Sequence, residues 1–378
     1  MRAVSFVSLW LGVFAPMSLS MAQSQSSAVV NGKTISVVGG TNHSLSTTND
    51  SADIAVDDIR IQLRGETLTV DGRSAELGSF QRIAISINDG VARVLVDDQL
   101  VIQPSQNPAN MNAQVSRAVA LFTGDGVQRD VPTAVRLMTE AAEAGHATAQ
   151  RNLGLLYRDG SGVPRNDAAA FGWLEKAALG GDSIAQDELG DLYASGRGTP
   201  KDLAKSFSWY QSAAQGGNAS AQTNLGYAYD VGIGTAPNST QAVRWYRQGA
   251  EQGDAAGQFN FALKLLSGVG IAKDEVAAVG WLRRAAAQDY APAFDSLGYV
   301  YDVGTGVAKD PTEAVRLYRL AAQRGVRNAQ VNLGASLEEG AGVEKNVSEA
   351  LVWYRRAAAL GDERAVAAVS RLEAAGVR

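Results

Sequence analysis

His43 and His146 are the only imidazoles in the chain, and no cysteine accompanies them. A zinc centre needs three or four His, Cys or carboxylate ligands, and a nucleophilic triad needs a histidine beside its nucleophile. Two imidazoles far apart in sequence supply neither. Asp57-Asp58 and Asp97-Asp98 pair carboxylates, but a hard cation takes six or more oxygens at set spacing, so these read as solvated turn residues. Gly268-Val269-Gly270-Ile271-Ala272-Lys273 has the look of a phosphate cradle. A dinucleotide fingerprint needs a preceding strand and a third glycine, and a P-loop needs Gly-Lys-Ser/Thr. Neither condition is met, and the same turn returns throughout the chain. A net charge of −5 and a pI near 5.3 give no basic face for nucleic acid. No catalytic residue, cofactor or metal is assigned, and the function is expected on a surface.

Two rows of residues remain for recognition. One reads Asn152, Glu188, Asn224, Asn260, Ser296 and Asn332; the other reads Leu155, Asp191, Tyr227, Leu263, Tyr299 and Ala335. Amide ladders can hold the backbone of an extended peptide, and an exposed tyrosine is a frequent contact residue. The candidate partner-binding residues are therefore Tyr227, Tyr299, Asn152, Asn224, Asn260, Asn332 and Asp191. The alternative for the asparagines is a bond to a neighbouring loop.

The elements that carry these rows follow from a period. Leu153-Gly154, Leu189-Gly190, Leu225-Gly226, Phe261-Ala262, Leu297-Gly298 and Leu333-Gly334 recur every 36 residues, the mark of a repeat array whose units pack on their neighbours. In one unit, Ala149, Leu153, Leu156 and Tyr157 form an apolar helical stripe. Gly154 costs that helix about 1 kcal/mol against Ala and predicts close approach of a second helix. Gly160 and Gly162 end the first helix. Asp130, Asn166, Asp202, Asn238, Asp274, Asp310 and Asn346 are the N-caps of second helices, Asp310 leading a capping box with Pro311 and Glu313. On the second helix, Ala170, Trp173, Leu174, Ala177 and Ala178 are the expected buried stripe. Trp173, Trp209, Trp245, Trp281 and Trp353 share one phase and read as core anchors.

These residues resemble the Sel-one-like repeat (SLR) family, solenoid relatives of tetratricopeptide repeats; Ala221 to Gly253 and Ala293 to Gly325 meet its pattern nearly in full. The resemblance implies an α/α superhelix whose first helices line a concave face, with adaptor roles in signalling, envelope assembly or host contact. A cysteine-rich subgroup of that family is linked to penicillin binding, and this chain lacks those cysteines. Arg117-Ala118 replaces Leu-Gly in the first unit. Gly257, Phe261-Ala262, Leu265 and Asp289-Tyr290 depart from the pattern in the fifth, which leaves its curvature open.

Ahead of the array, Ile83, Ile85 and Ile87 alternate with small residues and lead through Asn88-Asp89-Gly90 to Ala92, Val94 and Val96, a hairpin pattern. Asn31-Gly32 and Asp71-Gly72 mark further turns, and Thr41 to Ser51 reads as a long loop. The expected organisation is a signal peptide over 1–22, a small antiparallel β domain of six or seven strands over 23–103, a linker over 104–112, seven repeats over 113–364 and a C-terminal capping helix over 365–378. Arg2, the apolar run Val4 to Ala15 and Ser20-Met21-Ala22 are the signal features. An uncleaved anchor is the alternative, though a dozen apolar residues is short for a bilayer. The fold class is α+β multidomain. The function expected is an exported, non-enzymatic scaffold or regulator, periplasmic or secreted, binding an envelope or extracellular protein. A peptidoglycan- or glycan-binding module and a carboxylate hydrolase are the other readings.

Overall fold

The structure, a computed structural model, describes the strands between Gln25 and Ile102 and all of residues 108–378. The expected signal segment, Asp57-Asp58, Asp97-Asp98 and residues 103–107 lie outside the described residues. The chain divides into two units, residues 1–137 and 138–378.

In the first unit ten strands are defined: β1 Gln25–Val30, β2 Lys33–Gly39, β3 His43–Thr47, β4 Ser51–Val56, β5 Ile59–Arg64, β6 Thr67–Val70, β7 Arg73–Glu76, β8 Arg82–Asn88, β9 Val91–Val96 and β10 Gln99–Ile102. They form two five-stranded sheets, in the orders β1-β2-β8-β9-β10 and β3-β4-β5-β6-β7. Val30 pairs with Lys33, Val70 with Arg73 and Asn88 with Val91. The pairing departs from the antiparallel expectation at one place, where β2 runs parallel to β8 and Ile35 faces Ile83. Both side chains are buried. Turn residues announce neighbours in sequence, whereas a parallel pair needs a long crossover that no local signal marks. β3 also occupies part of the stretch read as a loop: Ser and Thr mark turns, but Thr is a good strand former as well.

Helix α1, Pro108–Thr123, begins inside the stretch expected to be linker. Proline suits the first helical position, where its missing N–H costs nothing, so Pro108 opens the helix. Helix α2 spans Val131–Glu143. The first helices of the later units (A helices) are α3 Ala147–Asp159, α5 Ser183–Ser195, α7 Ala219–Val231, α9 Ala255–Ser267, α11 Ala291–Val303 and α13 Arg327–Glu339. The second (B helices) are α4 Asp167–Leu179, α6 Leu203–Gln215, α8 Ser239–Glu251, α10 Glu275–Ala287, α12 Pro311–Gln323 and α14 Val347–Ala359. Helix α15, Glu363–Ala374, closes the second unit.

Each B helix starts where a short polar side chain accepts the third backbone N–H, as Asn166 does from Ala169 at 3.0 Å and Asp310 from Glu313 at 3.0 Å. Asp130 caps α2 in the same way, taking the Thr133 N–H at 3.1 Å. The two glycines of each turn do different work. Gly160, Gly196, Gly232, Gly268, Gly304 and Gly340 end the A helices in the left-handed region. The second glycine lies against the preceding unit: a Cβ on Gly198 would sit 2.0 Å from the Asp167 carbonyl oxygen, and one on Gly342 2.2 Å from that of Pro311. The glycine-rich stretch at Gly268 is therefore a packing joint.

The tryptophans correct an expectation. Trp353 is buried, but Trp173, Trp209, Trp245 and Trp281 are only half-buried. Lys176 stands 4.0 Å from the Trp173 ring centre, Arg284 4.3 Å from Trp281 and Arg356 4.5 Å from Trp353. The enclosed anchor is the next residue: Leu174, Tyr210, Tyr246, Leu282, Tyr318 and Tyr354 are 6% exposed or less. One residue turns a helix by about 100°, which moves the tryptophan to the edge of the stripe, where a cation covers its open face. The anchors explain the A-helix glycines. A Cβ on Gly226 would lie 2.7 Å from Tyr246 Cδ1, and one on Gly298 2.6 Å from Tyr318 Cδ1.

Neighbouring units are joined by matched side chains. At three joints the second residue after the buried A-helix alanine or glycine meets the residue that precedes the next A helix. Arg151 pairs with Asp182 at 3.0 Å, the Thr223 hydroxyl donates to Asp254 at 2.8 Å, and the Phe259 and Tyr290 rings lie 5.4 Å apart. Gln150, Gln186, Gln222, Gln258 and Gln330 donate to carbonyls eight residues back, at 3.1 to 3.3 Å, satisfying B-helix ends. Where the fourth repeat meets the fifth, Gly249 and Gly257 make room for Thr223; a Cβ on either would lie 2.5 or 2.6 Å from its Oγ1. Phe261 meets Trp281 edge-on at 5.6 Å.

Candidate protein-binding face

The two rows read from the sequence both lie on A helices, which stand beside one another, α5 against α7 and α7 against α9. Their side chains divide by phase. Asn224 Nδ2 donates to Asp187 Oδ1 at 2.9 Å, and Asn332 Nδ2 to Asp295 Oδ1 at 3.0 Å, each linking one A helix to the previous one. Asn152 Oδ1 accepts from Arg151 at 3.2 Å. Three of the four asparagines thus bond within the array, and Asn260 lines a cleft. Desolvation pushes the Asp187 carboxyl up to about 6 and raises that of Asp295.

Tyr227 and Tyr299 are 50% and 56% exposed. Val231 and Val303, one turn further along the same helices, are 51% and 53% exposed. On α9 between them, Leu263 and Leu266 are half-buried. A cleft of about 410 Å³ opens over α7 and α9, lined by Asp230, Tyr246, Asn260, Leu263, Leu266 and Lys264 among others. Lys264 Nζ lies 2.5 Å from Asp230 Oδ1.

The sequence reading missed the tyrosines that pass from B helices to this face. The Tyr210 hydroxyl donates to Asp191 Oδ1 at 2.5 Å, Tyr354 to Glu338 at 3.1 Å and Tyr246 to Asp230 at 3.5 Å. Burial, then the nearby carboxylates, raises the pKa of these hydroxyls, so they remain donors. Desolvation raises the Asp191 carboxyl too, and the Tyr210 hydrogen bond opposes it. The available signal was the phase of Tyr210, Tyr246 and Tyr354, each facing a glycine across the hairpin. Among the described residues no group of three or more His, Cys, Asp or Glu is placed to hold a metal ion, and no described helix is long and apolar enough to cross a membrane.

The chain matches the Sel1 repeat over residues 112–146, 147–182, 183–218, 219–254, 255–290, 296–326 and 327–362. It belongs to the Sel1 repeat family. Two solved structures are similar to it. One is a protective antigen of uropathogenic Escherichia coli with an SLR fold, 33% identical, TM-score 0.59, matched over 69% of this chain and 56% of that one. The other is a Sel1 repeat protein from Oxalobacter formigenes, 31% identical, TM-score 0.55, matched over 69% of this chain and 76% of that one. The chain therefore spans little more than half of the E. coli antigen. A search of curated proteins returned no match. Sel1 repeat proteins are generally protein–protein interaction scaffolds, typically non-catalytic. The second unit is an α solenoid of that kind.

Proposed function

We propose that this Sel1 repeat protein is an exported, non-enzymatic scaffold or regulator that binds a protein partner of the envelope or extracellular space through its A-helix face. One observation carries the reading. Tyrosine is enclosed at the anchor position of the B helices but half in water at Tyr227 and Tyr299, with Val231, Val303 and Leu263 beside them. Soluble monomers seldom leave such apolar groups contiguous without a use, and tyrosine is enriched among residues that dominate interfaces. Arg2 and the apolar run Val4 to Ala15 support export, as does the likeness to a protective antigen.

Affinity capture from the native compartment with crosslinking and mass spectrometry tests this. The wild-type chain retains a partner that Tyr227→Ala/Tyr299→Ala loses while its melting temperature holds. Equal capture by both proteins would remove the face from the mechanism. Retention on isolated sacculi, abolished by the same substitutions, would move the ligand class from protein to glycan. Cell fractionation that finds the chain only in the cytosol would overturn export.

A further inference from the structure

Charge is sorted between the two layers of the array. Helices α3, α5, α7, α9, α11 and α13 carry nine acidic residues and four basic ones, Arg151, Arg158, Lys264 and Arg327. Helices α4, α6, α8, α10, α12 and α14 carry ten basic residues and six acidic ones. All four A-helix cations are paired: Arg151 with Asp182, Arg158 with Glu188, Lys264 with Asp230, and Arg327 with Asp362, its Nε 3.7 Å away. The A layer thus presents a negative field to whatever approaches it, and such fields select partners of opposite sign.

The acids bracket the apolar strip. Along one phase, four consecutive A helices present Asp191, Tyr227, Leu263 and Tyr299. Asp302 lies on the same helix as Tyr299, and burial followed by the nearby Asp302 carboxylate raises the Tyr318 hydroxyl. Asp191 is held by the Tyr210 hydroxyl, so a cation meeting it finds a positioned acceptor. Packed helix axes lie about 8–10 Å apart, and an extended or polyproline chain rises about 3.1–3.4 Å per residue. Every third residue of a strand laid across the A helices therefore meets the next helix.

We propose that the partner engages this face with an extended segment whose apolar side chains, three residues apart, meet Tyr227, Leu263 and Tyr299, and whose flanking Lys or Arg side chains meet Asp191 and Asp302. This rests on the scaffold reading and specifies the partner's chemistry.

Selection of a displayed library of random 15-residue peptides on the full-length chain tests it. Enriched peptides carry Lys or Arg around apolar residues at three-residue spacing. The most enriched one, made synthetically, loses about tenfold or more in affinity against Tyr227→Ala/Tyr299→Ala. It loses about three- to tenfold against Asp191→Asn/Asp302→Asn and weakens as salt rises. Asparagine still accepts from Tyr210, and unchanged melting confirms the fold. Peptides that depend on the tyrosines but are neutral or acidic, or indifferent to Asp191 and Asp302, would overturn the basic partner and leave the scaffold face standing. If no enriched peptide depends on the tyrosines, or none is enriched, both readings fall.

Discussion

Asp187 is 8% exposed and bonds Asn224 across two helices, and desolvation pushes its carboxyl up to about 6 from 3.8. The folded chain therefore holds this proton where the unfolded chain has lost it. Stability contributed by the site falls as pH rises from about 4 to about 6 and stays lower above that window. Asp187→Asn keeps an acceptor for Asn224 and removes the titration. Its unfolding free energy, read from urea titrations, should gain on wild type between about pH 4.5 and pH 7, by about 2–3 kcal/mol. Equal pH slopes for the two proteins would show the carboxyl to be ordinary. Gly226 and Tyr227 are adjacent and opposite in role. Gly226→Val drives a side chain into Tyr246 and should destabilise by about 2–3 kcal/mol. Tyr227→Ala should cost under about 0.5 kcal/mol; thermal melts that reverse the ranking would place the packed face wrongly. The exposure of Tyr227 and Tyr299 was legible because their phase differs from that of the buried stripe. The asparagines were not, since an amide's use depends on the side chain 37 residues earlier, Asp187 for Asn224 and Asp295 for Asn332.

At the scale of elements, the turn from α10 to α11 breaks the rule of its siblings. Asp289 has φ +60°, where the equivalent positions hold glycine, as at Gly181 and Gly217. Its carboxylate lies 2.5 Å from Arg324, an exposed pair worth at most about 1 kcal/mol. The left-handed conformation costs a non-glycine residue about 1–2 kcal/mol. Asp289→Gly should therefore raise stability by about 0.5 kcal/mol, read as a later urea midpoint at unchanged slope; a lower midpoint would mean the ion pair outweighs the strain. Helix ends were plain in the sequence because a cap is a local matter of a few residues, from Asn166 to Asn346. The tryptophans misled because bulk and period identify a face only to within a residue, and Tyr246 beside Trp245 fits the gap opposite Gly226. In the first unit, the Asn-Gly and Asp-Gly steps speak only for strands adjacent in sequence, which is why the β2–β8 pairing was not foreseen.

For the whole molecule, stability in the second unit is a sum over neighbouring units, since each hairpin packs on the next. A defect in the middle should therefore divide the array without dissolving it. In Gly226→Val, hydrogen exchange at intermediate urea should accelerate across α7 and α8 while amides of α11 to α15 keep their protection. Uniform loss of protection along residues 138–378 would instead indicate a single cooperative block. The joints themselves carry a consequence for ancestry. Arg151 with Asp182, Thr223 with Asp254 and Phe259 with Tyr290 each suit their own mate. Excising residues 167–202 from the gene would preserve phase yet seat Arg151 beside Asn218, stranding a guanidinium. Slippage and unequal recombination, the usual means by which tandem genes lengthen or shorten, would thus leave mismatched seams in this one.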